Sequence, residues 1–221
     1  MSSDPIKALM LLIGATVMLT GCHPLTLTSA ATSASEPYAV VDVREQLEQL
    51  PVGPRGSLAG YDRDEDFPHW SSQGDGCNTR EVVLERDGTD VMTGPGCKST
   101  SGTWVSPYDG QTWTDPSDVD IDHVVPLAQS WVSGARSWTQ AQREAFANDL
   151  TRPQLLAVTD NVNQEKGRKA PDEWKPPLVG YWCTYASDWV TVKHHYALTI
   201  TSGEKSALLL MLDKCPKGGR S

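Results

Sequence analysis

The chain predicts an α+β fold, and three observations carry that expectation. Val119, Ile121 and Val125 make an apolar strand that Pro126 stops, because proline cannot continue the ladder. Gln154–Val158, with Leu-Leu-Ala-Val at its centre, reads as a second short strand. Thr159-Asp160 then caps a helix that carries Asn163 and Lys166. Around this unit the sequence predicts additional helices and, toward the N-terminus, a small β-hairpin region.

In chain order, Val40, Val43, Leu47 and Leu50 stand at helical spacing and Pro51 ends the run. Residues 51–60 are a turn-rich connection. Arg80–Arg86 alternates weakly and meets Asp87-Gly88, a hairpin signal, so a strand and a returning strand are expected on either side. Tyr108-Asp-Gly110 marks another turn before the Val119 strand. Leu127–Ser133 and Thr139–Asp149 read as helices, the second with Thr139 as its N-cap. Tyr181–Tyr196 and Ser202–Leu212 form a closing helix pair. There is no internal repeat.

At 221 residues the chain fits one ordinary domain plus an N-terminal extension. The net charge of −9 excludes a protein that coats nucleic acid through bulk charge, but a local cluster with a bound cation can still attract phosphate. Residues 1–21 read as a signal peptide. Lys7 gives a weak n-region, Ala8–Leu19 an apolar stretch too short to span a membrane, and Leu19-Thr-Gly-Cys22 resembles a bacterial lipobox with Cys22 as the lipidated residue. The competing reading is an ordinary cleaved signal peptide. Residues 22–38, rich in Thr, Ser and Ala, form a flexible tether, and 39–217 the folded domain. Without Cys22 four cysteines remain, which allow three pairings. The sequence-local closures Cys77–Cys97 and Cys183–Cys215 are favoured, each worth about 3 kcal/mol in the loop-entropy description. No pair has the short spacing of structural zinc sites.

The chemistry concentrates in Asp120-Ile-Asp122-His123-Val-Val-Pro126 and, forty residues after the histidine, Asn163-Gln-Glu-Lys166-Gly167. An acidic residue beside a histidine offers a metal ligand and a proton acceptor together. Asn163 and Lys166, three apart, share one helix face. Together the four side chains suffice to hold one divalent cation, activate one water and grip one phosphate. Strict strand alternation, however, puts Asp118, Asp120 and Asp122 on one face and His123 with Val119 and Ile121 on the other. Bringing Asp122 and His123 together therefore calls for a local twist or bulge.

Tyr61-Asp-Arg63, His69-Trp70, Gly76-Cys77-Asn-Thr-Arg80, Asp122-His123-Val-Val-Pro126-Leu, Phe146-Ala-Asn-Asp149, Asn163-x-x-Lys166-Gly167 and Trp174-x-Pro-Pro177 follow in order over about 150 residues. The series resembles the secreted bacterial HNH endonuclease family related to the C-terminal domain of the GmrSD restriction enzyme. That resemblance implies a ββα-metal (HNH, or His-Me finger) nuclease core acting on DNA. It implies His123 as the general base, suited by an imidazole pKa near 6.5. It implies Asp122 and Asn163 as ligands of a divalent cation, Mg²⁺ first and Mn²⁺ as the alternative. Lys166 would contact phosphate or hold the loop. The middle asparagine of the HNH pattern falls on Gln154, so Gln154 or Asn148 would pin the loop that bears the histidine.

Blander readings stand beside these. Arg63 and Arg80 bind phosphate or support the acidic loops. The Asp118–Asp122 series reads as a solvated acidic edge, since it lacks the glycine and distal glutamate of a calcium loop. His194-His195 reads as surface, and His69-Trp70 as a core corner. The expected setting is the cell envelope, either anchored by lipid on the outer face of the cytoplasmic membrane or secreted, with no obligate protein partner. The competing function is a non-catalytic envelope lipoprotein that keeps the fold as a binding module.

Overall fold

The structure, a computed structural model, describes residues 43–216. The signal peptide, Cys22, the tether and the Val40 start of the first helix lie outside the described residues. Three small sheets and eight α-helices are described: α1 (Val43–Gln49), α2 (Arg63–Asp66), β1 (Ser72–Gly74), β2 (Cys77–Asn78), α3 (Thr79–Asp87), β3 (Thr89–Thr93), β4 (Ser99–Val105), β5 (Thr112–Trp113), β6 (Val119–His123), α4 (Leu127–Val132), α5 (Gln140–Ala147), β7 (Leu155–Thr159), α6 (Asp160–Lys166), α7 (Trp182–His195) and α8 (Ser202–Leu212). The mixed content is compatible with an α+β nuclease fold.

Arg80–Arg86 is helical, not a strand. Asn78 accepts the Glu81 amide as N-cap, and Val83 and Leu84 bury one face of the helix. Asp87-Gly88 is accordingly the end of α3 and not a hairpin turn, with the Gly88 amide bonded to the Leu84 carbonyl. A Cβ at Gly88 would stand 2.6 Å from the Trp104 indole nitrogen, so only glycine fits there. The hairpin of this region is instead β3–β4, turned through Pro95–Cys97 with Gly96 at φ 67°. Cys77–Cys97 ties that turn to β2, with Cα atoms 5.1 Å apart.

β6 and β7 pair antiparallel in unbroken register from Val119↔Thr159 to His123↔Leu155, and α6 follows at once. This two-strand sheet stands between two apolar clusters. Val119, Ile121, Leu155 and Ala157 pack with Val83, Leu84 and Trp104. The larger cluster gathers α1, α4, α5, α7 and α8 around Trp189, Tyr185 and Phe146. The α5 and α8 helices each start with a full capping box, Thr139 with Gln142 and Thr201 with Glu204. Cys183–Cys215 joins the start of α7 to the chain just past α8, with Cα atoms 4.9 Å apart.

Candidate active site

The alternation of β6 holds to its last residue, without the bulge the sequence calls for. Asp122 turns toward α6 and Tyr108, while His123 turns the other way, against Trp70 and α5. Both nonetheless line one cleft of about 380 Å³ beyond the strand end, with Asn163, Tyr61, Arg63 and Arg168 around it. The site is thus assembled across the end of a regular strand, where side chains from both faces border the same opening.

His123 is fixed on two sides. Its ring lies flat on Trp70, with centroids 5.3 Å apart and planes within 9°. Its Nε2 stands 2.8 Å from the Ala147 carbonyl. A carbonyl only accepts, so Nε2 carries the hydrogen and the lone pair falls on Nδ1. Burial pushes the imidazole down to about 3; the Ala147 bond opposes this, and the charges of Arg63 and Lys166 add to it. The ring is therefore neutral at pH 7 and presents Nδ1 as a proton acceptor.

Asp122 is 5 % exposed, and its partners engage both oxygens. Tyr108 Oη donates to Oδ2 at 2.5 Å and Lys166 Nζ to Oδ1 at 2.8 Å. Burial raises the carboxyl and lowers the Lys166 ammonium, and each charge holds the other in place. Lys166 also donates to the His123 carbonyl at 2.8 Å. With no exposure at all, it does not reach the cleft surface and serves the loop. Gly167, at φ 49°, ends α6 directly after it.

Gln154 is fully buried and clamps Val125, two residues past His123. Its Oε1 accepts the Val125 amide at 3.1 Å and its Nε2 donates to the Val125 carbonyl at 2.9 Å. Asn148 holds a different segment, accepting from the Ser71 amide beside Trp70 and donating to Glu144. The arginines part company as well. Arg63 is exposed at the cleft rim with no side-chain hydrogen bond or ion pair among the described residues. Arg80 lies away from the cleft, bonded to Glu81 and to the Pro116 and Val119 carbonyls.

For a cation, the cleft offers the Asp122 carboxylate and the amide oxygen of Asn163. Asn163 Nδ2 donates to Asp120 Oδ2 at 3.1 Å, which leaves Oδ1 as a free acceptor. Among the described residues no three His, Cys, Asp or Glu side chains are grouped to hold a metal ion. Two hard oxygens in a cleft fit Mg²⁺, which keeps several waters and takes few protein ligands, better than zinc.

Three features escape the sequence. Tyr108 signals only a turn there, yet its hydroxyl meets Asp122. Trp70 signals a core corner, yet its face carries the His123 ring. Asp120 and Asp122 do not form a solvated edge: Asp120 is half-buried against Asn163, and Asp122 is buried. The alternation that groups the two aspartates is the signal that could have paired Asp120 with α6.

Comparison with known proteins decides the family. The model of the GmrSD restriction endonuclease C-terminal domain matches residues 94–211, which includes β6, β7 and α6 entire. The chain belongs to this nuclease-related family. A secreted, uncharacterized protein of the fungus Arthroderma benhamiae is 60 % identical over 169 residues, covering 76 % of this chain and 82 % of its own length. That relative is fungal, so it gives no support to the bacterial setting of the expected family. No solved structure matches. The matched segment runs from the β3–β4 turn into the last turn of α8, with His123, Asp122, Asn163 and Lys166 all inside it.

Proposed function

We propose that the chain is an endonuclease of the HNH type that hydrolyses phosphodiester bonds in DNA, with β6, β7 and α6 as its ββα-metal core. One observation carries the reading. A neutral histidine, held in one tautomer by Ala147 and stacked on Trp70, borders the same cleft as an unpaired arginine and two oxygen ligands. His123 Nδ1 takes a proton from a water; the resulting hydroxide attacks phosphorus, the P–O bond to the departing sugar oxygen breaks, that oxygen takes a proton from solvent water, and His123 returns its own proton to solvent. Arg63 holds a non-bridging phosphate oxygen. Gln154 and Lys166 keep the loop after β6 in place, acting through His123 and not on the substrate. A divalent cation held by Asp122 and Asn163 would supply charge neutralisation at the phosphate and at the departing oxygen.

Export fits the chemistry. Two disulfides and a secreted relative support an oxidising, extracytoplasmic setting, with lipid on Cys22 as one form of retention. A second reading, a binding module without catalysis, draws on the Asp122–Lys166 pair, in which the buried ammonium already balances the carboxylate charge. Supercoiled plasmid incubated with the purified mature protein and Mg²⁺, Mn²⁺ or EDTA separates the two. Nicking with either metal that EDTA stops is expected. No nicking with either metal would overturn the catalytic reading in favour of the binding module.

A further inference from the structure

The cleft that holds His123 does not end at Arg168. That residue also lines a second groove of about 320 Å³, together with Arg55, Lys169, Gln129 and Glu173, and Ala128 forms part of both walls. The junction is built, because buried Gln129 donates from Nε2 to the Arg168 carbonyl at 2.6 Å. The Lys169 amide bonds to the Lys166 carbonyl, which ties the same turn to the loop-holding lysine. Arg168 itself is exposed, and its guanidinium has no hydrogen bond or ion pair among the described residues. Lys169 is exposed with its ammonium on the Glu165 carbonyl, a neutral partner. Arg55 is paired with Glu173 at 2.9 Å and Asp172 at 3.7 Å, so it adds little free charge.

Arg63, Arg168 and Lys169 therefore stand in series along two joined openings. Among the described residues Asp122 is the one acid lining the first cleft, and Lys166 neutralises it from behind. Lys169 also feels the Glu173 carboxylate across the second groove, whereas Arg63 and Arg168 have no ion pair among the described residues, which is unexpected in a chain of net charge −9. Cations in series along a groove match a chain of phosphates better than a single phosphate group.

Resting on the nuclease reading, we infer that the substrate is a polynucleotide strand of several nucleotides, whose flanking phosphates pass from the His123 cleft over Arg168 to Lys169 in the second groove. Arg168 and Lys169 are positioning residues, which hold phosphates next to the one that is cut.

The test uses the mature protein and a fluorescent single-stranded 12-mer, with anisotropy read in EDTA across a salt series. Arg168→Gln/Lys169→Gln should weaken binding roughly tenfold and lower the slope of log affinity against log salt by about 1.4, near 0.7 per lost contact. Arg168→Lys should restore part of the slope, which a merely structural role would not produce. With Mg²⁺ or Mn²⁺ present, the cleavage penalty of the double variant should grow from a dinucleotide to the 12-mer, chiefly in KM. Unchanged affinity and slope in a folded double variant would overturn the inference even if the wild type cuts DNA. Salt-dependent binding that the double variant loses, in a wild type that cuts nothing, would support the strand path and sink only the catalytic reading.

Discussion

Lys193 and Lys166 are both fully buried, each against one buried carboxylate, at 2.7 Å from Glu204 and 2.8 Å from Asp122. Around Lys193 every partner belongs to the scaffold. Glu204 is at once the capping-box residue of α8 and the acceptor of the Trp189 indole, while Lys193 also donates to the Thr199 carbonyl. The space beside that pair is only about 10 Å³, too small for a ligand. Around Lys166 the carboxylate faces a cleft shared with a neutral histidine, an asparagine and an unpaired arginine. A buried ion pair alone is thus no sign of function. Its neighbours, and the opening it borders, make the difference.

Removing one lysine at a time tests this contrast most strongly. Each leaves a carboxylate buried and unpaired, a loss of about 3–5 kcal/mol that denaturant unfolding should read. Lys193→Met should lower stability while plasmid nicking per folded molecule stays at the wild-type rate. Lys166→Met should lower both, because the His123 carbonyl loses its donor as well. Equal effects of the two variants on nicking would break the comparison.

Gln154→Ala sharpens it from the loop side. Truncation orphans the Val125 amide and carbonyl, at about 1–3 kcal/mol for each buried group left unsatisfied. Stability should fall, and kcat should fall with KM little changed, since the substrate does not touch Gln154. Asn148→Ala, which frees the Ser71 segment instead, should affect kcat less.

Two titrations of opposite sign carry the comparison to pH. Burial raises the half-buried Asp188 carboxyl to about 7, against the opposing hydrogen bond from Tyr181. Its folded form keeps the proton, so its stabilisation is intact below about pH 4 and is lost as pH rises toward 7. Asp188→Asn should raise Tm at pH 8 and leave it unchanged at pH 4. His123 runs the other way. Its folded value of about 3 lies below the unfolded one, so its stabilisation is present above about pH 6.5 and fades as pH falls toward 3. The acid limb of kcat/KM should accordingly lie below the ordinary histidine range.

Legibility in the sequence followed the range of the signals. Local ones read well: the Thr139 cap, the β6–β7–α6 order and the sequence-local cysteine closures all reappear in the structure, while the strand ends at His123, short of the Pro126 stop. Arg80–Arg86 misled because a seven-residue stretch with three apolar positions fits period 2 nearly as well as 3.6, and Asn78 as N-cap decided the matter. Tyr108 and Trp70 reach Asp122 and His123 across 14 and 53 residues of chain, and no periodicity reports such a contact. Alternation correctly set Asp122 and His123 on opposite faces, but it could not say that one cleft wraps the strand end.

The most direct measurement is the nicking rate of His123→Gln beside the wild type, with circular dichroism and Tm showing both folded. Glutamine can still donate to the Ala147 carbonyl but offers no basic nitrogen, so the rate should fall by roughly 100-fold or more with Tm nearly preserved. Nicking at the wild-type rate by a folded His123→Gln protein would contradict the assignment of His123 as general base.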